Sequence, residues 1–343
     1  MELKLSISEE LSPISMEKIA AFIASIQKEN GEIPWSAGGK TDPWDHVESA
    51  MGLSTGGFYV EAKHAYDWLA DAQLEDGSWW SEIQDGKIIN SSKESNFSSY
   101  VAVGVFHHYL ITRDIKFVKT MWQTVSQGIN YAINLQAPDG EIYWARNKHG
   151  AVDKMALLTG SSSIYMSIKC ALAIASILGK KRPRWQKAMD KLGVAIKKPD
   201  LFNMIKSRYS MDWYYPVLCG AVTGEEAKRR IAHLWEKFVV PEWGVRCVSD
   251  RPWVTMAETA EFILTLTAMG DIPRAKTIFS WLNDKRFSDG SFWMGVTFPD
   301  GVIWPEEKTG WTAAAAMLAW DALNEITPAG KLFNHKFWDS LKK

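Results

Sequence analysis

Two kinds of segment alternate along the chain. The first kind is apolar nearly all round and rich in Ala, Ser and Gly. It recurs as "DPWDHVESAMGL" (42–53), "ESNFSSYVAVGVFHHYL" (94–110), "TGSSSIYMSIKCALAIASIL" (159–178), "SMDWYYPVLCGAV" (210–222), "PWVTMAETAEFILTLTAM" (252–269) and "TGWTAAAAMLAWDAL" (309–323). A helix that is apolar on every side is a buried helix. The second kind carries one charged face and spans 16–29, 58–75, 115–136, 183–198, 224–238 and 272–285. Those segments read as amphipathic helices, half exposed. Six buried helices alternating with six half-exposed ones predict an all-α fold, an (α/α)6 toroid of about twelve helices, six inner and six outer. No run of alternating strand pattern competes, and no linker or low-complexity stretch divides the chain. The expectation is one domain over 1–343.

A repeat punctuates this alternation. "FIASIQKENGEIPW", "WLADAQLEDGSWW", "YAINLQAPDGEIYW" and "WLNDKRFSDGSFW" each join a helix end to a polar turn with glycine and then a closing tryptophan. Gln27, Gln73 and Gln136 hold one position of the repeat, with Lys285 or Arg286 near it in the last copy. Glycines 31, 77, 140 and 290 suit the tight or left-handed turns that end helices.

Composition narrows the chemistry. The 39 basic and 40 acidic residues leave a net charge of −1, which gives no electrostatic reason to expect nucleic acid or an anionic membrane as partner. Cys170, Cys219 and Cys247 are odd in number and widely spaced, and read as reduced thiols of a cytosolic protein rather than a disulfide frame or zinc site. "MELKLSISEELSP" lacks the basic start and apolar core of a signal peptide. No apolar run approaches the roughly 18 residues that span a bilayer. The 18 tryptophans stand out. Their flat apolar faces serve packing, stacking on sugar rings and stabilising cations.

With its Q-x-x-x-G-x-W repeat, closest in "WLADAQLEDGSW", the chain resembles the terpenoid cyclase and protein prenyltransferase superfamily, and the bacterial proteins loosely called prenyltransferase-like. The resemblance implies an (α/α)6 toroid in which Gln73 and Trp79 are structural. It also implies an isoprenoid substrate, with peripheral membrane contact to acquire it. The departures are marked. There is no D-x-D-D acid motif; its nearest counterpart is Asp42-Pro43-Trp44-Asp45. There is no D-D-x-x-D for magnesium, and Cys219 and Cys247 lack partners at zinc-ligand spacing. Neither a metal nor another cofactor is expected.

In such a toroid the N-terminal ends of the buried helices meet around one mouth, so candidates are residues in their first turns. Asp42, Asp45 and Glu48 qualify, although Asp42 also fits a helix N-cap, Pro43 the first helical position and Asp45 a capping-box carboxylate. Glu48 lies deep enough for burial to raise its pKa, which suits a general acid. Pro252 is read as opening another helix, with Glu258 two turns in and Glu261 on a neighbouring face. Arg246 and Arg251 could hold an anionic group or simply pair at the surface. Asp212, Trp213 and Tyr214 form a third mouth position, with Pro216 starting or kinking their helix. Glu306 and Trp311 border the last one. Asn96 and Tyr100 are weaker candidates. Trp44, Trp213, Trp253 and Trp311 suggest an aromatic-lined cavity. His107 and His108 are read as core.

Two mechanisms fit. Following the resemblance, Asp45 or Glu48 protonates an alkene, His46 supports the acid, and the tryptophans stabilise the cations in a class II-like, metal-independent cyclisation. Alternatively, the carboxylates Glu48, Asp212, Glu258 and Glu306 act as the paired acid and base of a glycoside hydrolase, with tryptophans stacking on sugars. A toroid that binds lipid or glycan without turnover is the third reading.

Overall fold

The computed structural model describes residues 14–340. The N-terminal segment read above as lacking leader features lies outside them. The helices are α1 (Met16–Ile26), α2 (Pro43–Thr55), α3 (Tyr59–Ala72), α4 (Ser95–Thr112), α5 (Ile115–Ile133), α6 (Leu158–Ile177), α7 (Pro183–Ile196), α8 (Ser210–Leu218), α9 (Gly224–His233), α10 (Trp235–Phe238), α11 (Met256–Met269), α12 (Ile272–Ser280), α13 (Gly310–Asn324) and α14 (His335–Ser340).

Helices α2, α4, α6, α8, α11 and α13 pack each against the next, and α13 closes the ring on α2. Around them lie α1, α3, α5, α7, α9 with α10, and α12. Every inner helix coincides with an all-round apolar segment, and every outer one with an amphipathic segment. The predicted (α/α)6 toroid is the observed fold. Helix α6 is long and apolar enough to cross a membrane by length and composition, contrary to the sequence reading; 67% of its most apolar window is buried in the ring.

The ring's seam depends on small side chains. A Cβ on Gly52 would lie 2.7 Å from the Ala314 Cβ, so α2 and α13 approach closely only because both residues are small. Ala313–Ala316 are all fully buried, and Ala314 is the one that meets Gly52.

The repeat proves to be a capping device. Gln73 Nε2 donates to the carbonyls of Gly77 and Thr124, both at 3.0 Å. Gln27 bonds Gly31 and Glu61, and Gln136 bonds Gly140 and Ala188, in the same way. Each amide closes its own turn and ties it to the following outer helix. In the fourth copy Arg286 holds the glutamine position, four residues before Gly290, and its Nε donates to Asn283 O at 3.0 Å, while the adjacent Lys285 Nζ donates to Trp281 O at 2.7 Å and Glu242 O at 3.2 Å.

Short antiparallel strands, not anticipated from the sequence, occupy the loops that enter the inner helices. They are β1 (Glu82–Gln84) with β2 (Lys87–Asn90); β3 (Lys93–Glu94), β4 (Tyr143–Arg146) and β5 (Val152–Ala156) in one sheet; and β6 (Val239–Val240), β7 (Gly244–Arg246), β8 (Trp253–Thr255) and β9 (Gly295–Thr297) in another. Two to five residues each, they are too short for alternation to register. They shift one expected boundary. Residues 253–255 pair with β7 and β9, so α11 begins at Met256 rather than Pro252. Pro216 lies inside α8 and does not start it.

Candidate active site

A cavity of about 550 Å³ opens where the N-terminal turns of the inner helices meet. All six contribute: Asp42, Trp44, Asp45 and Glu48 from the start of α2, Glu94, Asn96 and Phe97 at α4, Leu157, Thr159 and Gly160 at α6, Met211 from α8, Glu258 and Glu261 from α11, and Trp311 from α13. Trp35, Trp144, Met204 and Lys206 complete the lining from the loops.

The carboxyl groups divide by what holds them. Asp42 is a true N-cap: its Oδ1 accepts the Asp45 N–H at 2.9 Å, and its Oδ2 accepts Trp35 Nε1–H. Both Glu261 oxygens are occupied, by the Tyr214 hydroxyl at 2.5 Å and by that of Tyr215. Glu94 accepts Trp144 Nε1–H at 3.0 Å. By contrast, Glu258 Oε2 is buried with no hydrogen-bond partner among the described residues. Burial raises the Asp42 pKa, opposed by its hydrogen bonds from the Asp45 N–H and Trp35 and by one shared with the Asp45 carboxyl, a bond that in turn raises Asp45.

Crowding keeps several of these acids protonated. Burial first, then the Asp42 and Glu48 charges, hold Asp45 well above the usual carboxylate range. Burial and the neighbouring Glu261 do the same to Glu48. Burial pushes Glu94 up to about 7, and Glu261 to about 8 despite its two phenols. The site thus holds acids that stay neutral at physiological pH. Among the described residues, no group of three or more His, Cys, Asp or Glu side chains could hold a metal ion.

Aromatic rings shape the walls. Trp44 stacks on Tyr100, with centroids 4.2 Å apart and planes 6° from parallel. Trp35 and Trp311 meet at 6.1 Å, tilted 53°. Trp311 Nε1 and Asn96 Oδ1 are buried without partners among the described residues, a donor and an acceptor left over by the protein.

Several expected site residues point elsewhere. Asp212 Oδ1 accepts the N–H of Thr159 at 3.2 Å and its hydroxyl at 2.5 Å, so Asp212 is a strut between α8 and α6 while Met211 faces the cavity. His46 is turned outward: Nδ1 accepts the Ile33 N–H at 3.0 Å and Nε2 bonds Ala65 O at 2.9 Å. Burial pushes its pKa down to about 4, so it is neutral and fixed in the core, and it supports no acid. Trp213 is core, stacked between Phe238 and Phe262 with Nε1 donating to Arg230 O. Tyr214 and Tyr100 act from behind the wall, through Glu261 and Trp44. Arg246 lies over the Phe298 ring and donates to Ser249 O. Trp253 donates to Trp304 O. Arg251 and Glu306 are exposed. None of these last four lines the cavity.

Sequence reasoning missed Trp35, Glu94 and Trp144, and gave Glu261 too little weight. The closing tryptophan of each repeat stands just before an inner helix, which is the level of the mouth. That position was a usable signal for Trp35 and Trp144. Glu261 follows Glu258 by three residues, one helical turn on the same face.

The chain is 48% identical over 324 residues to the MMP endo-(1,4)-3-O-methyl-alpha-D-mannosidase of Mycolicibacterium hassiacum, a match covering 94% of this chain and 90% of that one. The chain belongs to the family of that mannosidase. It is an enzyme. Among solved structures, a GH63 mannosylglycerate hydrolase from Thermus thermophilus in complex with glucose aligns with TM-score 0.70 at 11% identity, covering 89% of this chain and 99% of that one. A D-mannose isomerase aligns with TM-score 0.71 at 10% identity, over 91% and 96%. A wild-type glycosidase aligns with TM-score 0.64 at 14% identity, over 90% and 97%. These three share the fold. No protein-family model matches the chain.

The family corrects the resemblance to terpenoid cyclases and prenyltransferases. Isoprenoid cyclisation, and the membrane contact invoked to supply its substrate, go with it. The Gln–Gly–Trp repeat misled because it caps outer helices in a toroid whatever chemistry the mouth performs.

Proposed function

We propose that the protein is a glycoside hydrolase that cleaves internal α-(1,4) linkages in a chain of 3-O-methylated mannose. The relative at 48% identity carries that activity in its name. The observation that carries the reading here is the pair Asp45 and Glu258, two carboxyl groups on different inner helices facing one aromatic-walled cavity, with different states of attachment.

Asp45 holds a proton in a crowded, desolvated setting. It donates that proton to the glycosidic oxygen as the bond to C1 breaks. Glu258 has an oxygen, Oε2, with no hydrogen-bond partner among the described residues, and the Cys247 thiol lies beside its carboxyl. Glu258 takes the proton of the water that attacks C1, so the products are a new reducing end and a new non-reducing hydroxyl. Glu261, one turn from Glu258, is held in a fixed orientation at the cavity wall by two phenols. Trp44, Trp311, Trp35 and Trp144 offer the flat faces on which pyranose rings stack. The unpartnered Trp311 N–H and Asn96 carbonyl are suited to sugar hydroxyls.

The test is release of reducing ends from a 3-O-methylated α-(1,4)-mannooligosaccharide. Asp45→Asn and Glu258→Gln should each lower kcat by about 10²- to 10⁴-fold with the fold intact by circular dichroism. Turnover by Asp45→Asn within tenfold of wild type would overturn this assignment.

A further inference from the structure

The cavity has two unlike sides. In the ring order, α8 lies across from α2, and α6 across from α13. Asp42, Asp45, Glu48 and the Trp44 and Trp311 rings come from the α2 and α13 side, Glu258 and Glu261 from α11, and Glu94 from the head of α4. The α6 and α8 side presents Leu157, Met204 and Met211, with Thr159, Gly160 and Lys206 beside them. This apolar wall is built, not incidental. Ala156 clasps the loop that carries Met204: its N–H donates to Asn203 Oδ1 at 2.7 Å, and its carbonyl accepts the Met204 N–H at 3.1 Å. The Thr159–Asp212 bonds lock the first turns of α6 and α8 together, and Leu157 and Met211 line the cavity from those two turns. Those bonds also occupy the Thr159 hydroxyl. Lys206 borders the wall with its ammonium 5.0 Å from the centre of the Tyr209 ring.

We propose that Leu157, Met204 and Met211 form the subsite for the methyl ether of the sugar bound at the cleavage point, and so set selectivity for O-methylated over plain mannose. The inference rests on the glycoside-hydrolase reading. A pyranose whose linkage oxygen faces Asp45 turns its opposite edge toward α8. A methyl ether there removes apolar surface from water against leucine and two thioether side chains, which adapt to irregular shapes. A free hydroxyl at the same place loses its water against these three apolar side chains, which disfavours it.

The experiment compares two matched α-(1,4)-mannooligosaccharides, 3-O-methylated and unmethylated, by kcat/KM and by quenching of tryptophan fluorescence on binding. Wild type is expected to favour the methylated chain by about tenfold or more. Leu157→Asn and Met211→Gln, both near-isosteric, should each reduce that ratio toward one; the ratio is internal to each variant, so partial loss of folded protein does not move it. A ratio unchanged in both variants overturns the subsite, as does a wild-type enzyme with no methyl preference. If neither chain is cleaved but the methylated one binds more tightly and this preference is lost in the variants, the hydrolase reading fails and the subsite stands.

Discussion

Glu261 is held between two phenols, with Tyr214 donating to Oε2 and Tyr215 to Oε1. These bonds favour the charged form and oppose the burial that pushes its pKa up to about 8. Replacing Tyr215 by Phe leaves one carboxylate oxygen without a donor in a closed space. The expected loss of stability is about 1–3 kcal/mol. It should be larger at pH 9, where Glu261 ionises, than at pH 6. Urea unfolding at the two pH values measures this; an equal loss at both would show that the phenols do not act on the carboxylate.

Glu94 gives a stability prediction of defined sign. Its folded pKa is raised to about 7, above the ordinary 4.5, so the folded state binds more protons between those values. Stability therefore falls as pH rises through that window, by an amount on the order of 3 kcal/mol. Glu94→Gln keeps an acceptor for Trp144 and removes the titration. Between pH 5 and 8 the variant should lose less stability than wild type, as read by chemical denaturation.

Burial raises the Asp45 pKa most, and the charge and hydrogen bond of Asp42 raise it further. In Asp42→Asn both effects weaken, and Asp45 loses its proton at lower pH. If Asp45 is the acid, the alkaline limb of kcat/KM on the methylated oligosaccharide moves to lower pH. A limb that stays in place would assign the acid to another residue.

Gln73 and Lys285 test two ways of tying the toroid's turns. The Gln73 amide joins Gly77 O to Thr124 O, and Lys285 Nζ joins Trp281 O to Glu242 O. Gln73→Ala and Lys285→Ala each strand two partly buried carbonyls and should each lower stability by about 1–3 kcal/mol. Lys285→Met, which keeps the stem but not the donors, should cost as much as Lys285→Ala. Thermal melts of the variants check this; a Lys285→Met protein as stable as wild type would show that the Lys285 bonds contribute nothing.

The toroid was legible because burial leaves a compositional trace. A helix enclosed on all sides, such as α6 or α13, cannot carry a charged face, and its partner outside must. Asp45, Glu48, Glu258 and Trp44 were legible for the same reason, since a carboxyl at the head of a buried helix is out of place unless used. What the sequence concealed was direction. Asp212 and Met211 are adjacent, and only packing decides that the aspartate braces α6 while the methionine meets the cavity. His46 is one residue from Asp45, yet a helix turns neighbours about 100° apart, which puts it in the core. The chemistry was misread at the repeat, where a strong signal for architecture was taken as a signal for substrate.

The seam between α2 and α13 joins an early part of the chain to a late one. Trp311, which completes the cavity, stands on the last inner helix, while Asp45 stands on the first. A chain emerging during synthesis has every proposed catalytic carboxyl before it has a walled site. Until α13 is made and Ala314 meets Gly52, the burial that raises the Asp45 pKa is incomplete. The enzyme acquires its reactive acid at the moment the circle closes.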